Sequence, residues 1–185
     1  AAPPPARAPR VPLGGSILER ETLDVDVLVV GGGPAGLSAA IRLATRHEYD
    51  GGQPLSVAVL EKSRQAGSHA LSGAVLDTSG LDELLPDWKT RGAPVETRVR
   101  HDEIYYLTER LRFPIPAFLT PFNNRGAYVI SLNRFVRWLS EQAESASVDI
   151  FTGFAGTEVL YEGDRVVGVR TGDRGIDKRG ERKGT

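Results

Sequence analysis

The chain has 185 residues, enough for one full domain or one domain with part of a neighbour, and too few for a large multidomain enzyme. Lys and Arg number 23 against 24 Asp and Glu, and this net charge of -1 offers no basic footprint for nucleic acid. The absence of cysteine excludes disulfides, thiolate nucleophiles and iron-sulfur ligation by these residues. Hydrophobic residues at 40% leave room for a buried core, and no apolar run approaches the roughly 18 residues that span a bilayer. Methionine is absent too, so the expectation is a processed chain or a piece of something longer.

In chain order, residues 1–15 are rich in Pro, Ala and Arg with no acidic residue, a composition that cannot bury enough apolar surface to order itself. Residues 1–23 are therefore expected to form a disordered leader. The lack of serine before Ser16 argues against an organelle transit peptide. From Asp24 a β-rich run ends in Val27-Leu28-Val29-Val30 and predicts a buried parallel strand. Leu37, Ala40, Ile41 and Ala44 then recur at helical spacing, predicting a helix from Pro34 to about Arg46 with proline in its first turn. Leu55 to Leu60 resumes strand character, which completes a strand, crossover helix and strand unit.

Residues 67–124 read as irregular apart from a short apolar stripe at Leu81, Leu84, Leu85 and Trp88. A strand is expected at Tyr128 to Ile130, a second helix at Asn133 to Ser145 capped by Ser131 or Asn133, and a strand at Val148 to Phe151. Thr157 to Tyr161 and Val166 to Thr171 flank Glu162-Gly163-Asp164-Arg165 and predict a β-hairpin. The residues from Gly172 onward look like a solvated loop cut before another strand. The fold class expected is α/β: one Rossmann-like domain over 24–185, incomplete at its C-terminus, with an inserted irregular or β region and the hairpin.

Gly31-Gly32-Gly33-Pro34-Ala35-Gly36 fits G-x-G-x-x-G between a predicted strand and a predicted helix, the context in which the motif has a mechanism. Gly31 permits the tight turn, Gly33 lets backbone approach a diphosphate, Gly36 lets the helix pack close to the strand, and the helix N-terminus offers unpaired N–H groups. Glu61 follows the second strand at about the offset where a carboxylate accepts hydrogen bonds from an adenosine ribose and repels a 2′-phosphate. This points to FAD or NAD and away from NADP, and the turn by itself does not separate the two. His47, His69 and His101 stand apart from any triad-like spacing, so no catalytic acid-base residue and no metal site are expected.

The segments DVLVVGGGPAGLSAAIRL (Asp26 to Leu43), VLEKSRQAGSHALSGAVLD (Val59 to Asp77), LLPDWKTRGAP (Leu84 to Pro94), RFPIP (Arg112 to Pro116), NNRGAYVISL (Asn123 to Leu132), VRWLSEQAE (Val136 to Glu144) and GIDK (Gly175 to Lys178) resemble, in order, the N-terminal part of electron-transfer flavoprotein:ubiquinone oxidoreductases. That family hands electrons from reduced electron-transfer flavoprotein to the membrane quinone pool through FAD and a [4Fe-4S] cluster. The resemblance implies FAD, with Gly31, Gly33, Pro34, Ala35 and Gly36 at the diphosphate and Glu61 and Lys62 at the adenosine side. It places Leu71, Ser72, Gly73 and Ala74 near the flavin and Arg134 at the phosphate or ribityl part. For Gly73 a plain turn, and for Arg134 a solvated helix face, are the alternatives. Val159 meets the adenine through its backbone or packs in the core.

The resemblance also gives the stripe Leu81, Leu84, Leu85 and Trp88 a second meaning, contact with a bilayer, beside burial in the core. It implies a peripheral protein of the mitochondrial inner membrane, matrix face, or of the bacterial cytoplasmic membrane. The four cysteines of the family's cluster and the later stretch that closes the ribityl side of the flavin are missing here, so this chain is expected to form at most part of a flavin site and not to complete the electron path. Two other readings stand beside it: a geranylgeranyl-reductase-like flavoprotein, and a non-catalytic fragment that binds no cofactor.

Overall fold

A computed structural model describes residues 21–46, 51–116, 120 and 123–172. The leader, apart from residues 21–23, and the chain from residue 173 onward lie outside them. Strand β1 (Val27–Val30), helix α1 (Pro34–Ala44) and strand β2 (Val57–Glu61) form the expected unit, with β1 and β2 parallel and Val27 opposite Val57, but β1, expected to be buried, is only partly so and its Val30 is exposed. The far end of this pair is pinned by Asp26, whose carboxylate accepts from the Ser56 N–H at 2.8 Å and the Ser56 hydroxyl at 2.7 Å. At the near end the Gly31 N–H donates to the Leu60 carbonyl at 2.8 Å. Every residue of β2 is buried, so a one-residue slip would misplace Glu61 relative to the turn after β1, and both pins oppose it.

Residues 67–124 hold more regular structure than their sequence predicts. They contain β3 (Gly73–Leu76), α2 (Ser79–Leu84), β4 (Val95–Arg98), β5 (Ile104–Leu107) and β6 (Arg112–Ile115). Each of these strands has four residues, too few to display a period of two, and Gly73, Ala74 and Pro114 have little strand propensity. Cross-strand pairing makes them strands. The chain continues through β7 (Tyr128–Ser131), α3 (Leu132–Ser145), β8 (Asp149–Thr152), β9 (Gly156–Glu162) and β10 (Arg165–Thr171).

Three strands in the order β1-β2-β8 make a parallel sheet, and β3-β7-β4 make an antiparallel one. Two antiparallel ribbons, β5-β6 and β9-β10, complete the described strands, and the second turns at Gly163 with φ +61°. Helix α3 lies where the two larger sheets meet. Its Phe135, Val136, Trp138, Leu139 and Ala143 are buried together with Leu37, Ile41, Val57 and Val59 of the parallel layer and Ile130 of the antiparallel one. Ser131 caps α3 by position without a side-chain bond, while Asn133 donates through Nδ2 to the Gly67 carbonyl at 2.7 Å. Gly67 has φ +80°, and a Cβ there would stand 2.7 Å from the Asn133 carbonyl oxygen, so the loop after β2 is seated on this helix only as glycine.

Of the two readings of the stripe, bilayer contact and burial, the structure shows burial in the core. Leu81, Leu85 and Trp88 are buried, Leu84 is half-buried against them, and Trp88 is only 1% exposed. The Trp88 indole N–H donates to Asp82 at 2.6 Å, and its ring meets Tyr128 edge-on with centroids 5.9 Å apart. The hydrophobic face of α2 found the protein's own interior as its apolar partner. The core alternative for Val159 also fails, because this residue stands on the β9-β10 ribbon at 46% exposure.

Trp88→Ala should cost about 3–5 kcal/mol of stability, the usual range for deleting a buried Trp. Urea unfolding followed by circular dichroism measures it; a loss below about 1 kcal/mol would return the stripe to the surface.

Candidate dinucleotide site

The carboxyl ends of β1, β2 and β8 open on one side of the parallel sheet, where open α/β sheets bind ligands. Gly31 follows β1 with φ +117°, a backbone state that an L side chain rarely adopts. Gly33 is the N-cap of α1 in an extended conformation, and a Cβ there meets nothing within 4 Å. Gly36, one turn into the helix, is the opposite case. Its Cβ would fall 2.0 Å from the Gly31 carbonyl oxygen and 3.1 Å from Val29 Cγ1, so the helix can lie this close to β1 only without a side chain.

The three glycines therefore meet three separate requirements: a left-handed turn, an open approach and a close contact. With Pro34 lacking an N–H, Ala35 and Gly36 bring the first unpaired donors of α1 to that approach. The end of a helix macrodipole adds partial positive charge there. This donor set suits an anionic diphosphate, so the cradle fits the group that its sequence suggests.

Glu61 closes β2 beside the turn and is 9% exposed. Its Oε2 accepts the Gly32 N–H at 2.9 Å and its Oε1 accepts the Ser63 N–H at 2.7 Å. Burial works to raise its pKa, but hydrogen bonds from Ser63 and Gly32 and the field of His69 outweigh it, and the carboxyl is held below the ordinary value of 4.5. The Glu61 carbonyl accepts the Phe154 N–H at 3.0 Å and the Ser63 carbonyl accepts the Gly153 N–H at 2.7 Å, which ties the β2 and β8 exits together.

The remaining residues singled out from the sequence are spread more widely. Lys62 is exposed. Leu71 is 93% exposed, Ser72 is exposed and accepts the Leu132 N–H at 3.4 Å, and Gly73 and Ala74 begin β3 opposite Ser131 and Ile130 of β7. Arg134, on the exposed side of α3, pairs with Glu96 at 3.1 Å. The β9 ribbon passes the end of β1, where a Cβ on Gly156 would stand 3.4 Å from Val30 Cγ1, but the Val159 side chain points into no core. Two residues tied to Glu61, Gly32 and Ser63, had no assigned role in the sequence; the run of three glycines was the only trace of the first. Among the described residues no cluster of three or more His, Asp or Glu side chains is arranged to hold a metal.

Gly33→Ala adds a methyl to open space and should cost the fold about 1 kcal/mol or less, yet it should remove dinucleotide binding. Gly36→Ala should cost about 3 kcal/mol through overpacking against backbone. Thermal unfolding without ligand separates the two, and equal losses would contradict the cradle. For Glu61, a depressed folded pKa means stability that is complete above the unfolded value and lost as pH falls through the folded one. The stability difference between wild type and Glu61→Gln should hold steady above about pH 6 and shrink once pH drops below 4.5. Urea titrations across that window measure it, and a difference that does not vary with pH would rule the effect out.

The FAD dependent oxidoreductase family matches residues 26–84, the stretch that contains the cradle and Glu61. Over 164 residues, 87% of this chain, it is 49% identical to the mitochondrial electron transfer flavoprotein-ubiquinone oxidoreductase of Dictyostelium discoideum, of which that stretch is 26%. Over 170 residues it is 46% identical to the electron transfer flavoprotein-ubiquinone oxidoreductase of Pseudomonas aeruginosa, covering 90% of this chain and 31% of that protein. The chain thus spans between a quarter and a third of the length of these relatives. In fold it is similar to a geranylgeranyl bacteriochlorophyll reductase-like protein of Thermoplasma acidophilum, with a TM-score of 0.58 and 24% identity over 80% of this chain and 34% of that one. Residues 26–84 thus match the FAD dependent oxidoreductase family, the fold is Rossmann-like, and the chain is similar over most of its length to part of the electron transfer flavoprotein-ubiquinone oxidoreductases.

Proposed function

We propose that this chain is the flavin-binding part of an enzyme that passes electrons from reduced electron-transfer flavoprotein to ubiquinone at a membrane surface. The observation that carries the reading is sustained identity, close to half of all positions, to relatives named for that reaction. The likeness to the geranylgeranyl reductase-like protein is one of fold, so the prenyl-reductase alternative has no comparable support.

In this reading Gly31, Gly33, Pro34, Ala35 and Gly36 receive the diphosphate of FAD, and Glu61, with Lys62 beside it, receives the adenosine ribose. Residues Leu71 to Ala74 and Arg134 serve the flavin and ribityl side, and the backbone at Val159 serves the adenine. FAD, when bound, supplies one- and two-electron chemistry. The chain's own residues hold and orient it, and no side chain here is needed as a proton-transfer catalyst. With no cysteine in the chain, a [4Fe-4S] cluster would take its ligands from elsewhere in a longer protein.

Among the described residues no helix is long and apolar enough to cross a membrane. A peripheral contact moves from α2, whose apolar face is buried, to the β5-β6 ribbon. Tyr106 and Phe113 face each other across that ribbon at 63% and 50% exposure, and Leu107 and Leu111 are 71% and 62% exposed. An isolated two-stranded ribbon with apolar residues on both faces is not at rest in water. The membrane implied is the mitochondrial inner membrane on its matrix face, or the bacterial cytoplasmic membrane.

The intact protein should carry a flavin absorbance band at about 450 nm, bleach on addition of reduced electron-transfer flavoprotein and recover on addition of a soluble ubiquinone. A colourless protein would support the non-catalytic reading, and a flavin that this donor does not bleach would exclude the proposed reaction. Leu107→Asp with Leu111→Asp should cut sedimentation with phospholipid vesicles by roughly tenfold or more while sparing the flavin.

A further inference from the structure

The middle glycine of the turn, Gly32, has no part in the G-x-G-x-x-G requirement, yet it is buried and makes the most specific contact in the site. Its N–H donates to Glu61 Oε2 at 2.9 Å. A Cβ on it would stand 3.1 Å from Glu61 Cβ, 3.1 Å from Oε2 and 3.3 Å from Cγ, all atoms of the same side chain. Its φ lies outside the left-handed region, so backbone strain gives no reason for glycine here. The three nearest neighbours of a side chain at position 32 all belong to Glu61, whose carboxylate position 32 also holds, and they would have to give by a few tenths of an ångström.

We infer that Gly32 is a positioning residue that fixes the Glu61 carboxylate for ribose recognition, and so couples the diphosphate cradle to the ribose clamp. A glutamate side chain has three rotatable bonds, and a carboxylate free to turn would lose that freedom when a ribose binds. Here Gly32 anchors one oxygen and Ser63 the other, at 2.9 Å and 2.7 Å, so the plane of the group is set beforehand. An ionised carboxylate has about four lone-pair sites, and the two N–H donors leave the others for hydroxyl donors of a ribose. Because Gly32 lies between Gly31 and Gly33, any displacement of the turn is transmitted to the carboxylate.

This inference rests on the FAD reading and is tested by a double-mutant cycle in the intact protein, stripped of flavin and retitrated with FAD by fluorescence quenching. Gly32→Ala should weaken FAD roughly ten- to hundredfold, the value of one hydrogen bond to a charged group. In a Glu61→Ala background the same substitution should change affinity less than about twofold, because the carboxylate is gone and only the Cβ contact at 3.1 Å remains. A second readout compares adenosine diphosphate with its 2′,3′-dideoxy analogue. Wild type should prefer the hydroxylated ligand, and Gly32→Ala should erase most of that preference, which a general loss of packing would not do. Equal losses in both backgrounds, an unchanged ribose preference, or a Gly32→Ala chain that fails to fold with or without Glu61 would each overturn the inference. Wild-type protein that takes up no FAD defeats the proposed function itself, whereas uncoupled effects in a protein that binds FAD defeat only the role of Gly32.

Discussion

Among the described glycines the one with least room for a side chain is Gly36, where the first turn of α1 rests on the end of β1. A single added methyl at Gly36 would lie 2.0 Å from the Gly31 carbonyl oxygen, which leaves the helix no other line to follow. That line aims the unpaired N–H groups of α1 at the mouth of the parallel sheet. The cradle thus arises from a packing constraint before any ligand is considered. The same constraint brings Gly32 within reach of Glu61, since both follow from where β1 ends relative to β2.

From Glu61 the constraint spreads by hydrogen bonds. The carboxylate joins the glycine turn to Ser63, the backbone of Glu61 and Ser63 joins the β8 exit, and the same loop reaches α3 through Gly67 and Asn133. A half-buried network of this kind is fully satisfied: among the described residues no buried side-chain polar atom lacks a partner. Charge on Glu61 is therefore a structural element. Its depressed pKa expresses this, because the N–H groups that favour the carboxylate are the ones that hold the loops.

Two apolar surfaces illustrate how little amphipathicity alone says about its partner. The stripe from Leu81 to Trp88 has the spacing and the terminal Trp of an interfacial helix, yet the helix ends at Leu84 and Trp88, in the turn that follows, is buried against Tyr128, its N–H spent on Asp82. The β5-β6 ribbon, which the sequence hid inside an irregular region, exposes Tyr106, Leu107, Leu111 and Phe113. Helical period marks a face; only the position of neighbouring elements says what covers it.

The local pattern was sufficient for the β1-α1-β2 unit, for α3 and for the β9-β10 hairpin, because each spans enough residues for its period to outweigh competing signals. Glycine chemistry made the cradle legible in the same way: the turn at Gly31 and the close contact at Gly36 are both short-range demands of the backbone. The antiparallel sheet was decided at the tertiary level, since four-residue strands such as β3 and β4 exist only through pairing with β7 across tens of residues. So was the link between Gly32 and Glu61, separated by 29 positions in sequence and joined only when two parallel strands set their ends side by side. Sequence fixes what a segment can do within its own reach, while contacts between distant segments depend on how the elements stack.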